Sequence, residues 1–205
     1  MKQRIKCLYL AVCLLWICVT PGYAADASVF SDVSPKSPFY EAIGWAVEKN
    51  VTKGTSDTTF APSQTCNRQQ ILTFLWRYQG RPRVDWDGFA DTPANPDFQS
   101  AANWAYVKGL ETGVQTSGNE LRFQGTLACT RAAAVTYLWL LSGRPAADVS
   151  YAHQFADVTS GTALYAVAWA VQQGITNGMT PTSFSPNATC TRGQIVTFLY
   201  RYSKI

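Results

Sequence analysis

Arg68, Arg131 and Arg192 are placed alike. Each follows a cysteine by two residues, in Cys66-Asn67-Arg68, Cys129-Thr130-Arg131 and Cys190-Thr191-Arg192. Asn and Thr are favoured helix N-caps, so each arginine takes the first helical position. A cation there opposes the helix dipole, by roughly 0.3–1 kcal/mol at exposed sites. Two chemistries account for a placement repeated three times. One is anion capture: a helix N-terminus offers N–H groups, and the guanidinium adds a planar fork matched to a carboxylate. The other is a structural ion pair with Asp32, Asp91 or Asp157, which recur just as regularly. The residues alone leave both open.

The arginines belong to a longer repeat. Phe60, Phe123 and Phe184 each precede the cysteine by six residues. Phe30-Ser31-Asp32, Phe89-Ala90-Asp91 and Phe155-Ala156-Asp157 open the copies, and Trp45, Trp104 and Trp169 follow. Asn50, Gly109 and Gly174 come next, then Gly54, Gly113 and Gly178. The copies span residues 29–82, 88–145 and 154–205, the first two ending in Gly-Arg-Pro. Copy two carries four extra residues between Gly113 and Phe123, which reads as a longer surface loop. Repetition at this period means that function belongs to the unit or to the seams between units.

Two helices per copy position these residues. The first is expected near Ser37-Pro38 in copy one, at Asn95-Pro96 in copy two and near Ser160 to Thr162 in copy three. It stops at Asn50, Gly109 or Gly174, residues that tolerate a left-handed backbone. The second helix starts after Asn67, Thr130 or Thr191, with capping boxes completed by Gln70 and Gln194, whereas Ala133 breaks the box in copy two. Its apolar face is Ile71, Phe74, Leu75 and Tyr78, then Ala134, Tyr137, Leu138 and Leu141, then Ile195, Phe198, Leu199 and Tyr202.

Several repeated residues have a structural explanation. Cys66, Cys129 and Cys190 precede the N-caps, where a small hydrophobe staples to Ile71, Ala134 or Ile195. An odd number of cysteines at equivalent positions is a poor disulfide framework. The tryptophans suit the core or a groove wall, with the core favoured by the apolar area a Trp buries. A helix pair of this size buries too little surface to stand alone. The expected fold is therefore all-α: three helix-loop-helix repeats packed with pseudo-threefold symmetry into one composite domain.

Residues 1–24 read as a secretory signal peptide. Lys2, Arg4 and Lys6 precede the apolar run Cys7 to Val19, and Gly22-Tyr23-Ala24 places small residues before a cut. The run is too short to span a bilayer comfortably, and no transmembrane segment is expected in the mature chain. With those three basic residues removed, the remaining Lys and Arg nearly balance the 13 Asp and Glu. No basic stripe of the kind nucleic-acid binding needs is present. The single His153 and the widely spaced cysteines do not make a metal site, and no cofactor is expected.

The pattern Phe-x-Asp-Val, Trp-Ala, Gly-x-x-x-Gly, Phe-x-Pro, Thr-Cys-Thr-Arg resembles the S-layer homology (SLH) domain, across three tandem copies in residues 29–203. The resemblance implies three helix-loop-helix units around a central bundle. It implies a non-catalytic, secreted module of the bacterial cell wall or S-layer surface that binds secondary cell-wall polysaccharide, or another peptidoglycan-linked polymer, non-covalently. Such polymers are often pyruvylated. In the family an Ile-Thr-Arg-Ala-Glu segment brings its arginine to the ligand. The arginine stands here as Arg68, Arg131 and Arg192, while Gln70, Ala133 and Gln194 replace the glutamate. By position, Gly54, Gly113, Gly178, Trp45, Trp104 and Trp169 are the further ligand-binding candidates.

Two other functions compete. An extracellular protein-interaction scaffold, or an S-layer assembly component, would bind other surface proteins through the grooves between repeats. A glycosidase would need two carboxylates about 5–10 Å apart with separated pKa values. Asp32, Asp91 and Asp157 recur instead where Asp serves turns, and no catalytic constellation is evident.

Overall fold

The computed structural model of the protein describes residues 26–205, and the expected leader at residues 1–24 lies outside them. Six α-helices dominate the described residues: α1 (Tyr40–Glu48), α2 (Arg68–Tyr78), α3 (Pro96–Val107), α4 (Arg131–Leu141), α5 (Gly161–Gln172) and α6 (Arg192–Tyr202). A 3-10 turn at Val149–Ala152 precedes α5. The all-α expectation needs one amendment. The extra residues of copy two form a small antiparallel pair, β1 (Val114–Gln115) and β2 (Leu121–Arg122), rather than an irregular loop. A turn with Asn119 at φ 64° closes it, and Leu121 folds back over Gly113.

The second helices begin where their caps dictate. Asn67 and Thr191 form reciprocal capping boxes with Gln70 and Gln194, while Thr130 caps Ala133 from one side only. Asn95 caps α3, with Pro96 at its first position. Copy one departs from expectation: α1 starts at Tyr40 because the Ser37 hydroxyl accepts from Phe39 N–H in a separate turn before the helix. Asn50, Gly109 and Gly174 end the first helices at φ 54°, 69° and 69°, the left-handed stop their identities suggest.

Packing runs from copy to copy. Helix α2 packs on α3, α4 on α5, and α6 returns to α1. Each second helix thus lies on the first helix of the following copy, and the third copy closes on the first. A ring of backbone hydrogen bonds marks the closure: Cys66 N–H donates to Cys190 at 2.8 Å, Cys190 to Cys129 at 2.9 Å and Cys129 to Cys66 at 3.0 Å. Buried backbone groups must be paired, and here they are paired only by a neighbouring copy. The three cysteines are free and buried. Ile71, Leu75, Ala134, Leu138, Ile195 and Leu199 are fully buried, as their spacing requires. Tyr78, Leu141 and Tyr202, the last residues of those rows, are only half-buried. They lie at the helix ends, where Tyr78 and Tyr202 meet edge to face and Tyr202 accepts a hydrogen bond from Ser142.

Candidate ligand grooves at the seams

Each arginine at the start of a second helix reaches into the next copy. Arg192 lies over the Phe60 ring at 4.7 Å and donates from Nε to the Phe60 carbonyl at 2.8 Å. Arg131 repeats the arrangement on Phe184, at 4.7 Å and 3.0 Å. A second ring flanks each guanidinium, Phe74 for Arg192 and Phe198 for Arg131. Both arginines are more than nine-tenths buried, and burial pushes both guanidinium pKa values down. In both, the Nη2 atom is buried without a hydrogen-bond partner among the described residues. An unpaired buried donor carrying charge is expensive. Arg192 lines a groove of about 200 Å³ together with Thr52, Gly54, Gln70 and Arg77 of copy one and Asn95 and Phe98 of copy two.

The helix N-termini themselves are not open to an anion, which corrects the expectation of free N–H groups. The first N–H of α2, α4 and α6 donates to Leu127, Ala188 and Gln64 carbonyls, and the second to Gly125, Pro186 and Pro62. The third is taken by the Asn67, Thr130 or Thr191 side chain. The loop before the neighbouring second helix caps each helix. Any anion recognition at these seams therefore rests on side chains, the guanidinium among them, and not on the helix N–H groups.

The alternative of an ion pair to Asp32, Asp91 or Asp157 is also corrected. Each aspartate instead clamps a turn within its own copy. Asp32 accepts from the N–H of Phe60 at 2.9 Å and Ala61 at 2.7 Å, and Asp91 from Phe123 at 2.6 Å and Gln124 at 2.8 Å. Asp157 accepts from Phe184 at 2.9 Å and Ser185 at 2.8 Å. Ala61, Gln124 and Ser185 all sit at positive φ, between 56° and 58°, a conformation few non-glycine residues adopt unaided. The aspartates hold that turn, and with it the phenylalanine on which the neighbouring arginine lies.

Copy two is different. At the position of Thr52 and Thr176 it carries Glu111, and at the position of Phe74 and Phe198 it carries Tyr137. Thr52 and Thr176 accept from Gly54 and Gly178 N–H. Glu111 instead faces Arg68, whose Nε donates to it at 3.2 Å and whose Nη2 makes a charge-assisted bond to its second oxygen. The Tyr137 hydroxyl donates to the same carboxylate. Arg68 is drawn off its ring, 5.5 Å from Phe123. Burial opposes the Arg68 charge, but the adjoining Glu111 carboxylate outweighs it and raises the guanidinium pKa. Burial and the same carboxylate raise the Tyr137 hydroxyl.

The Arg68 groove is also larger, about 790 Å³. Ala133 and Leu140 line it where copy one has Gln70 and Arg77. Trp139, half-buried, and Tyr165, half-exposed, complete its walls. Identity between copies marks the arginines, whereas Glu111 and Tyr137 are departures from the repeat. The signal that finds them is alignment of the copies with attention to where one copy turns polar.

The remaining candidates occupy structural positions. Trp45, Trp104 and Trp169 are 8%, 1% and 3% exposed. Trp45 meets Tyr78 and Tyr200, and Trp169 meets Tyr202. Gly54, Gly113 and Gly178 have φ of 91°, 67° and 85°, and a Cβ on them would approach Phe30, Phe89 and Phe155 to 2.6, 2.9 and 2.5 Å. Gly54 also lines the Arg192 groove. Among the described residues no group of three or more His, Cys, Asp or Glu can hold a metal ion, and no helix is long and apolar enough to cross a membrane.

Comparison with known proteins places two stretches of the chain. Residues 29–72 and 154–196 match the S-layer homology domain, and the middle copy lies outside both. A protein of Thermoanaerobacter kivui described as "Cell surface protein" is 30% identical over 125 residues, 56% of this chain and 16% of that protein. The chain thus spans well under a quarter of the length of that relative.

Proposed function

We propose that this chain is a non-catalytic cell-surface anchoring module that holds a wall polysaccharide in the grooves between its three repeats. The observation that carries the reading is the pair of buried guanidinium groups of Arg131 and Arg192, each with an unpartnered Nη2 at a seam. S-layer homology domains bind cell-wall polymers in general, and the matches at residues 29–72 and 154–196 support the same class of ligand for this chain. A pyruvate ketal on the polymer supplies one carboxylate, the acceptor that a desolvated guanidinium lacks here. Such a contact is stronger in a groove shielded from water than at an open surface. Phe60 and Phe184 hold the two guanidiniums, and the Asp32 and Asp157 clamps hold the phenylalanines. Secretion by the leader at residues 1–24 belongs to the same proposal.

Co-sedimentation of the purified protein with isolated cell walls tests this reading, before and after chemical removal of polysaccharide from peptidoglycan. The expected result is pelleting that disappears on removal and is lost in an Arg131→Ala/Arg192→Ala variant whose circular dichroism remains native. Pelleting that survives removal assigns the ligand to peptidoglycan. Absence of pelleting with either preparation overturns the anchor in favour of a scaffold for other surface proteins.

A further inference from the structure

The three seams are built to one plan, yet they do not present the same charge. At the Arg131 and Arg192 seams the guanidinium bonds a phenylalanine carbonyl through Nε and leaves Nη2 unmatched. At the Arg68 seam both Nε and Nη2 are matched, and the partner is a carboxylate from within the chain. Glu111 is 8% exposed and accepts hydrogen bonds from Arg68 and Tyr137. Threonine at the two equivalent positions serves the local turn instead. Tyr137 adds a hydroxyl where the other copies have phenylalanine, and that hydroxyl is spent on Glu111. Two polar replacements in one copy thus serve a single contact.

We propose that Glu111 is a built-in counter-ion that fills the carboxylate subsite of the Arg68 groove, so that this seam takes an uncharged sugar unit while the Arg131 and Arg192 seams take carboxylates. The inference rests on the polysaccharide reading above. A ligand carboxylate entering the Arg68 groove would meet an arginine already bonded in fork fashion and a like charge beside it, which costs binding. Apart from Arg68, Glu111 and the exposed Arg144, the walls carry no charged side chain. Ala133 and Leu140 stand where copy one has the long polar side chains of Gln70 and Arg77, and Trp139 and Tyr165 offer aromatic surface. Aromatic rings with a polar edge suit the apolar face of a sugar and its hydroxyls.

Titration calorimetry with two probes tests the proposal: the pyruvate ketal of a methyl glucoside, and the matching ethylidene acetal, which lacks the carboxylate. A Glu111→Thr/Tyr137→Phe variant restores the residues of the other two copies. It is expected to bind one more equivalent of the ketal per chain than wild type. Adding Arg68→Ala to that variant should remove the extra equivalent. The acetal should bind the Arg68 groove of wild type and show no gain in the variant. Glu111→Gln keeps the shape of the contact and removes its charge, so it should gain the ketal too, which keeps the test decisive if the double variant does not fold. A folded variant with no added ketal site overturns the counter-ion. The wild-type ketal sites, probed by Arg131→Ala and Arg192→Ala, report separately on the polysaccharide reading. If wild type takes up no ketal and the double variant takes up one, that reading fails for those two seams while the counter-ion stands.

Discussion

Arg192 and Phe60 stand 132 positions apart in the chain, yet they share two contacts: the guanidinium lies 4.7 Å from the ring centroid, and Nε donates to the Phe60 carbonyl at 2.8 Å. This pair closes the third copy onto the first. Lysine at position 192 would keep the charge but would lose the flat stacking and the Nε bond. Arg192→Lys is expected to lower stability by about 1–2 kcal/mol and to weaken wall binding at temperatures where it remains folded. Urea denaturation followed by a pelleting assay checks both. Unchanged binding by a folded Arg192→Lys protein would show that the fork is not what recognises the polymer.

Arg68 and Glu111 are expected to behave as a coupled pair. Both are largely buried, so removing one partner strands the other charge. Breaking such a pair typically costs about 3–5 kcal/mol. Arg68→Ala alone should therefore destabilise more than Arg68→Ala combined with Glu111→Thr, although the double variant removes more atoms. A double-mutant cycle by urea titration should give a coupling of at least about 1 kcal/mol. Additive effects would mean that the carboxylate is solvated well enough to stand without its arginine.

The elements were readable from local chemistry, and the seams were not. Asn67, Thr130 and Thr191 announce three helix starts, and Asn50, Gly109 and Gly174 announce three stops, because capping involves residues only a few positions apart. The partners of the helix N–H groups lie one copy away, at Leu127, Ala188 and Gln64 for the first position. Nothing local to Arg68 or Arg192 indicates that a neighbouring loop already fills those sites. Phe-x-Asp likewise reads as a turn, but the turn it stabilises is some 27–33 residues downstream. Comparing copies for what they share brings out the arginines and tryptophans. It passes over Glu111 and Tyr137, whose meaning lies in differing from Thr52, Thr176, Phe74 and Phe198.

The three cysteines at the centre of the ring should be chemically silent. Burial pushes the Cys66 and Cys129 thiols up to about 12 and raises that of Cys190 as well. The thiolate is the reactive form, and at pH 8 it is scarce in all three. Iodoacetamide at pH 8 should leave peptides containing Cys66, Cys129 and Cys190 unmodified in the native protein and label all three in urea. Mass spectrometry of the digests reads this directly. Stoichiometric labelling under native conditions would contradict the closed ring.

The aspartate clamps give stability a defined dependence on pH. Burial works against the Asp32 charge, yet the Phe60 and Ala61 N–H groups prevail and hold its carboxyl below the usual range. At Asp157 burial is again opposed, here by the Ser183 hydroxyl and the Phe184 and Ser185 N–H groups, with the same net lowering. A carboxyl whose pKa is lower in the folded state stabilises the fold above its unfolded value, near 3.9, and this contribution is lost as pH falls through the folded value. The urea midpoint should therefore hold steady from pH 7 to about 5 and then fall with further acidification. Asp32→Asn/Asp157→Asn should be less stable at pH 7 and should show a shallower decline below about pH 4, since amides have no proton to gain. Because these clamps carry the phenylalanines under Arg192 and Arg131, the same variant should also lose wall binding at neutral pH. An acid slope identical to wild type would mean that other carboxylates govern the transition.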